Sequence, residues 1–349
     1  METNTSDHSR CHDIVKVESG QPISSAVMFS TGVLGNIVAL VLLEARRRRT
    51  SSTLYQVLVI ALLVTDLLGS ISVSPVVLIS YAQRRTLVAM SSGKEVCLYF
   101  GFSMTFLTLC TLAILCVMAL ERYLSIGHPY LYERHLSKRF GYVTLGLIYL
   151  GSTLFCVGPF LGFGDYVQYC PGTWCFLQMS HTDGKDKVYI GFYASLILVM
   201  ILTTVVCNIS VIHLLVKMYR RGKLRRSRVS VHSMHPRSLT EEMDHLLPLA
   251  IITVVFIVCT CPLALQVYLN FTGSHEERHS KDLGALRLLS THSIINPWVF
   301  IILRPSVLRI IWRKFHKQQQ RSTFVWGRTL NQTKQAAEAP CCEAPEARV

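Results

Sequence analysis

The sequence predicts an all-α membrane protein: a seven-transmembrane helix bundle followed by a short amphipathic eighth helix. Three observations carry that expectation. Half of the residues are hydrophobic and only 16% are charged, at a mean hydropathy of +0.37, whereas soluble domains carry roughly 25% charged residues. The apolar residues gather into seven stretches long enough to cross a bilayer core of about 30 Å. The basic residues behind the formal charge of +14 fall in short clusters between those stretches, at Arg46–Arg49, Lys138–Arg139, Arg220–Arg228 and Arg313–Lys317. A charge of that size also suits a nucleic-acid binder. Its placement is instead the positive-inside pattern, with membrane lipids as the counter-charge, and no nucleic acid is expected.

Residues 1–22 form a polar tail with a glycosylation sequon at Asn4-Thr5-Ser6. No short apolar core with a cleavage site precedes the first span, so that span is expected to act as an uncleaved anchor. The bundle is expected over 23–304. Its first span, 23–44, holds the amide Asn36, which needs an internal partner inside lipid. The second, 53–82, carries Asp66 near its middle, a proline kink at Pro75 and Tyr81 at its outer end. The third, 94–127, opens near Cys97 and ends in ALERYLSIGHPY; the fourth, 139–163, has Pro159 near its outer end. An outer loop over 164–186 is rich in aromatics, Gly and Pro, and is expected to fold over the mouth of the bundle. The fifth span covers about 187–217, a basic inner loop follows, and the sixth, 242–269, is interrupted by Pro248 and Pro262.

The seventh span, 281–304, carries the sharpest chemistry. Arg287 stands ten residues before Pro297, about 15 Å along the axis, in the outer half of the membrane. An arginine there costs up to ~3 kcal/mol on insertion scales and usually faces a cavity or a partner. Ser290 follows one turn later on the same face. A cation and a hydroxyl at that depth suit an acid carried on a greasy body. A guanidinium snorkelling to the headgroups, or paired with a neighbouring carboxylate, fits the residues as well. Beyond Arg304, a helix on the inner membrane surface is expected over 305–318. Val307, Leu308, Ile311, Trp312 and Phe315 make its apolar stripe opposite a basic face. Residues 319–349 read as a polar cytoplasmic tail, in which Cys341 and Cys342 are a candidate palmitoylation pair.

An odd number of spans puts the two termini on opposite sides, and the arginine bias puts the N-terminus outside. The sequons at Asn4 and Asn270 then face the glycosylating compartment, and Asn331 does not. Glu121-Arg122-Tyr123 closes the third span at the inner face, where opposite charges lock each other until a partner arrives. An ordinary interfacial pair, worth about 0–1 kcal/mol, has the same sequence. Asp66 and Asn296 lie in different spans at similar depth. They suit a sodium ion held by hard oxygen ligands, or a structural hydrogen bond, and Asn296-Pro297 also provides a bend. Cys97 and Cys175 can bridge the loop to the bundle. Cys170 and Cys11 also lie outside, and four cysteines allow three connectivities. In Pro171-Gly172-Thr173-Trp174-Cys175, Thr173 is a donor for the same acid as Arg287 and Trp174 lines the lid, although a tight turn with a packed tryptophan explains both. His292 is assigned nothing. Metal-ligand spacing, a phosphate-binding glycine loop and a serine nucleophile elbow are all missing from the sequence, so an enzyme is not expected.

Seven spans, Glu121-Arg122-Tyr123, the Cys97 and Cys175 pair, Asp66 and Asn296-Pro297 together resemble a rhodopsin-class G-protein-coupled receptor over residues 20–318. QYCPGTWCF at 168–176, with Arg287 and the Pro-Trp-Val-Phe at 297–300, is similar to the prostanoid receptors in particular. ALERYLSIGHPY and SIINPWVFIILRPSVLR look most like the second subtype of the prostaglandin E branch, while the outer loop leans toward the prostaglandin D branch. The resemblance implies a plasma-membrane receptor whose prostaglandin carboxylate meets Arg287, Thr173 and Tyr81, with Ser290 close by. It also implies a second bridge, Cys11–Cys170, as in the prostacyclin and prostaglandin D branches, either of which is the alternative reading, and signalling through the stimulatory heterotrimeric G protein to cyclic AMP. Glu121, Arg122 and Tyr123, with Pro129 and Tyr130 beside them, are then the coupling surface, and no cofactor is implied beyond an allosteric sodium ion. Three positions depart from the pattern. Asn296 stands where prostanoid receptors usually have aspartate, Phe300 where the wider class has tyrosine, and Thr260 where it often has tryptophan. A seven-span transporter for lipid acids would use the same arginine but has no need of Glu121-Arg122-Tyr123.

Overall fold

The computed structural model describes residues 14–17, 22–47, 53–178, 184–228, 237–272 and 279–302. The expected surface helix at 305–318, Asn4, Cys11 and the tail cysteines lie outside the described residues. Among the described residues, seven long helices run in chain order: α1 Pro22–Arg47, α2 Leu54–Gln83, α3 Glu95–Gly127, α4 Lys138–Cys156, α5 Gly184–Arg228, α6 Arg237–Thr272 and α7 His279–Ile302. Helices α1 to α5 are long and apolar enough to cross a membrane by composition, and α6 carries an apolar run at Thr253–Leu269. The fifth and sixth helices extend further at the inner side than their apolar runs predict. Their basic and polar flanks keep good helix propensity beyond the hydrocarbon boundary.

Local chemistry sets several boundaries. At the start of α2, Thr53 Oγ1 accepts from Gln56 N at 3.3 Å and Gln56 Oε1 accepts from Thr53 N at 3.2 Å. These reciprocal bonds satisfy two donors that a helix start leaves orphaned. At the other end Arg84 turns left-handed at φ 52° and its N–H bonds back to Ser80 and Tyr81 carbonyls. Helix α2 runs continuously through Pro75. Ser137 caps α4 by accepting from Phe140 N at 3.4 Å.

Helix α3 is the axis of the bundle. More than half of its apolar window is buried, and it packs against α2, α4, α5 and the outer hairpin. Within the outer loop, that hairpin is formed by β1 Tyr166–Tyr169 pairing antiparallel with β2 Trp174–Leu177, with Gln168 opposite Cys175. The turn between them holds a cis Cys170–Pro171 bond and Gly172 at φ +90°. A Cβ at Gly172 would fall 2.4 Å from Thr86 Cγ2, so both backbone and space call for glycine there. Cys97 at the outer end of α3 is disulfide-bonded to Cys175, which ties the hairpin to the axis. Cys170 is disulfide-bonded as well.

The hairpin is part of a wider lid. Leu87 N donates to Gly172 O at 2.9 Å. Gln168 reaches both ways, its Oε1 accepting from Val88 N at 3.0 Å and its Nε2 donating to Ile14 O at 3.2 Å. Residues 14–17 run antiparallel beside 84–86, with Thr86 N on Val15 O at 3.2 Å and Val17 N on Arg84 O at 3.5 Å. The short N-terminal segment, the α2–α3 loop and the hairpin are thus joined by main-chain and amide hydrogen bonds over the outer end of the bundle.

Candidate functional site

Under the lid lies a cleft of about 980 Å³, including the part open to solvent. Ser24, Ser25 and Met28 of α1 line it, as do Val73, Ser74, Val77 and Tyr81 of α2 and Phe100 and Met104 of α3. Thr173 and Trp174 of the hairpin turn and strand close the top, and Leu286, Arg287 and Ser290 come from α7. All five residues singled out for ligand binding, Arg287, Thr173, Tyr81, Ser290 and Trp174, therefore border one space, although they come from three separate stretches of the chain.

Local contacts fix two of them, Trp174 and Ser290. Thr173 is 4% exposed and Trp174 6%, and the indole Nε1 donates to Cys170 O at 3.1 Å, which fixes the ring as the roof of the cleft. Trp174 also stacks on Tyr169, ring centroids 5.0 Å apart. Ser290 Oγ donates to Leu286 O at 3.0 Å, leaving its lone pairs to accept. Arg287 is exposed, and among the described residues no ion pair engages it. The carboxylate partner that the sequence alone allowed is therefore not found in the described part of the bundle.

The side of the cleft is as informative as its roof. In their inner halves α1 and α7 touch: a Cβ at Gly35 would sit 2.8 Å from Trp298 Nε1, and one at Gly32 3.3 Å from Ile294. In their outer halves Ser24, Ser25 and Met28 face Arg287 and Ser290 across the cleft instead. The lid closes the top with hydrogen bonds, whereas the guanidinium remains accessible.

Directly below, a second cavity of about 700 Å³, again including the part open to solvent, shares Met28, Val73, Ser74, Met104 and Ser290 with the first and reaches Asp66, Thr111 and Ser293. Asp66 is 3% exposed. Its Oδ1 accepts from Thr111 Oγ1 at 3.3 Å and its Oδ2 from Asn296 Nδ2 at 3.2 Å. The same Asn296 amide lies 3.3 Å from His292 Nδ1. His292, to which the sequence assigns no role, is thus 1% exposed, joined to this cluster and edge-on to Phe256 of α6 at 5.8 Å. The oxygen donors of Asp66, Thr111 and Ser293 suit a hard cation, while the Asn296 amide nitrogen occupies one carboxylate oxygen.

At the inner end, Arg122 Nε lies 3.3 Å from Glu121 Oε2. Glu121 is only 3% exposed, against 36% for Arg122. Two tyrosines that sequence reasoning missed complete the group. Tyr132, on a two-turn helix at Pro129–His135, donates its hydroxyl to Glu121 Oε1 at 2.8 Å. Burial and the neighbouring Glu121 push the Tyr132 phenol up to about 12. Tyr55, at the start of α2, lies under the Arg122 guanidinium, 3.5 Å from ring centroid to Cζ. Tyr123 packs edge-on against His128 at 5.7 Å. Pro129 opens the two-turn helix, and Tyr130 beside it is 73% exposed. Asn270 lies in the last turns of α6, and its side chain is outside the described residues.

Comparison with known proteins agrees with this architecture. Residues 35–300 match the model of the seven-transmembrane receptors of the rhodopsin family. The chain is 48% identical over 308 residues to the prostaglandin E2 receptor EP2 subtype of Mus musculus, covering 83% of each. It is 47% identical over 329 residues to the EP2 subtype of Homo sapiens, covering 88% of this chain and 90% of that one. The prostaglandin D2 receptor of Homo sapiens is 40% identical over 341 residues, covering 87% and 92%. The crystal structure of squid rhodopsin superposes with a TM-score of 0.67 at 18% identity, covering 84% of this chain and 79% of that one, and at that identity it speaks to the fold.

Proposed function

The chain belongs to the rhodopsin family of seven-transmembrane receptors, and to the prostanoid receptors within it; from that premise we propose that its ligand is prostaglandin E and that it signals through the stimulatory heterotrimeric G protein to raise cyclic AMP. One observation carries the ligand reading: a single outer cleft, otherwise walled by apolar groups and hydroxyls, contains a guanidinium with no ion-pair partner among the described residues. A guanidinium without an ion-pair partner, set among apolar groups and hydroxyls, gives the site the most to gain from an anion. The prostaglandin carboxylate pairs with Arg287, with Thr173 and Tyr81 as further hydroxyl donors and Ser290 beside them. Trp174 roofs the cleft, and the hydrocarbon lies along Met28, Val77, Phe100 and Met104. The hydrogen-bonded lid and the parting of α1 from α7 at Arg287 favour arrival from the outer leaflet, with the N-terminus outside the cell and the receptor in the plasma membrane.

Agonist binding favours a state in which α3 and α6 separate at the inner face and Arg122 leaves Glu121 for the G protein. Tyr123 lies beside this switch, and Pro129 and Tyr130 dock alongside. The ligand shifts this equilibrium only by its different affinities for the two states. Below the cleft, Asp66 and Asn296 form the level where sodium would be held, and Pro297 supplies the bend in α7. On this reading the Cys11–Cys170 bridge and glycans on Asn4 and Asn270 belong to the outer face.

The test is cyclic AMP in cells expressing the chain, titrated with prostaglandins E, D and I. A rise at the lowest concentrations of prostaglandin E supports the whole assignment. Preference for prostaglandin D would retain the mechanism and move the chain to the other branch. Substrate-dependent flux of a lipid acid with no cyclic AMP response would overturn it in favour of a transporter.

A further inference from the structure

Nothing in the sequence marks Tyr55, yet four features of the fold converge on it. Its ring lies under Arg122, 3.5 Å from the guanidinium carbon, which is face-on cation–π geometry. On the other side Arg122 meets Glu121 at 3.3 Å, and Tyr132 holds the second Glu121 oxygen at 2.8 Å. Arg122 is therefore gripped between an anion and an aromatic face. The reciprocal cap of Thr53 and Gln56 starts α2 two residues before Tyr55 and fixes the backbone there. The neighbouring Leu54 is 5% exposed and occupies the notch left by Gly141 of α4, where a Cβ would come within 2.3 Å of Leu54 Cδ1. The inner end of α2 is thus pinned to α4, so the ring cannot simply follow the arginine.

The geometry points to Tyr55 as the resting-state seat of Arg122: a positioning residue whose aromatic face holds the guanidinium on Glu121 and must be vacated when Arg122 turns to the G protein. This rests on the receptor reading above and adds to it a contact that restrains signalling without ligand. The contact acts in one state only, so its loss shifts the resting equilibrium toward the signalling form. The usual strength of such pairs translates into roughly 2- to 30-fold more ligand-independent activity. The ring does this work, so Tyr55→Phe is expected to behave as the wild type. Tyr55→Trp, with the stronger aromatic quadrupole, is expected to fall below it.

The experiment uses the full-length chain in membranes with purified stimulatory G protein. Nucleotide exchange is measured without ligand, at matched receptor levels, for wild type, Tyr55→Leu, Tyr55→Phe and Tyr55→Trp. A parallel double-mutant cycle of Tyr55→Leu with Arg122→Met is read by thermal unfolding. A rise for Leu, no rise for Phe and a coupled cycle support the seat. Unchanged or lower exchange for Leu, or a rise for Phe equal to that for Leu, overturns it. If Tyr55→Leu does not reach the membrane, a rise in the bulkier Trp variant overturns it and a fall supports it. An additive cycle overturns it whatever the G protein does. A wild type that responds to no prostaglandin fails the receptor reading instead, and the cycle then decides the Tyr55–Arg122 contact alone.

Discussion

Arg287→Ala tests the core of the ligand assignment, and its size follows from the cleft. Truncating one partner of a desolvated charge pair costs about 2–5 kcal/mol. Arg287 is exposed on one side of the cleft, and Thr173 and Tyr81 remain to hydrogen-bond the carboxylate. Both facts place the loss in the lower half of the range, at about 3 kcal/mol, or roughly 150-fold in affinity. Arg287→Lys keeps a point charge but loses the planar fork, so a smaller loss of about tenfold is expected. The decisive assay compares prostaglandin E with its methyl ester by competition binding, on wild type and Arg287→Ala at verified surface levels. On the wild type the ester should be weaker by nearly the full factor, because it removes the charge from the other side of the same pair. On Arg287→Ala the acid and the ester should bind almost alike. If the acid keeps its wild-type advantage over the ester in Arg287→Ala, the carboxylate is read elsewhere and the orientation of the ligand is wrong.

Four further outcomes are expected. Gly172→Ala combines a left-handed backbone with a Cβ 2.4 Å from Thr86 Cγ2; it should cost about 1–3 kcal/mol of lid stability, read as lower thermal stability and weaker prostaglandin binding. Cys175→Ser removes the bridge from α3 to the hairpin and should cost about 2–4 kcal/mol, with most of the chain retained inside the cell. Tyr132→Phe leaves a buried Glu121 oxygen without its donor and should lower thermal stability by about 1–3 kcal/mol. Because the Tyr132 phenol is raised to about 12 in the fold, its contribution is complete below its ordinary value of about 10 and fades only as pH rises toward 12. The difference between wild type and Tyr132→Phe should therefore be flat from about pH 6 to 9, and a slope there would refute the hydrogen bond. Asn296→Ala frees Asp66 Oδ2 and should reduce ligand-driven nucleotide exchange more than ligand affinity.

The fold was legible because lipid imposes long apolar runs and leaves few alternatives to helices. The site was only partly so. A guanidinium in the outer half of α7 is conspicuous by itself, but nothing in the spacing of Tyr81, Thr173 and Arg287 brings them to one cleft; the resemblance supplied that set. The hairpin was hidden because its strands are four residues each and β2 is buried along its whole length, which erases the alternation that reveals a strand. Tyr55 and Tyr132 left no signal either. Each sits within the first turns of a helix, where periodicity says least, and each acts through a partner on another element. His292 was passed over because a buried histidine on an apolar helix is ordinarily a packing residue, and only its contact with Asn296 changes that.

The three levels of the molecule are joined by the same helices, and α2 meets all of them. Tyr81 and Ser74 face the cleft, Asp66 holds the middle cluster, and Tyr55 lies under Arg122. Tyr81 and Tyr55 are 26 residues apart, about 39 Å along the axis, and a rigid rod could carry a displacement that far. Pro75 stands between Tyr81 and Asp66, and a proline cannot make the bond to the carbonyl one turn back, so α2 is weakest between the cleft and the cluster. Below that point its inner segment is held at Asp66 by Thr111 of α3 and Asn296 of α7 and at Leu54 by α4. Helix α7 carries both Arg287 and Asn296, and Pro297 leaves the Ser293 carbonyl without its helix bond, so the bend of α7 falls at Asn296 itself. On the proposed ligand reading, the shorter route from Arg287 to the inner face runs down α7 to the bend at Asn296 and across its hydrogen bond to Asp66. Asn296→Ala discriminates the routes. Coupling along α2 would leave exchange and affinity changing together, whereas coupling across Asn296–Asp66 separates them.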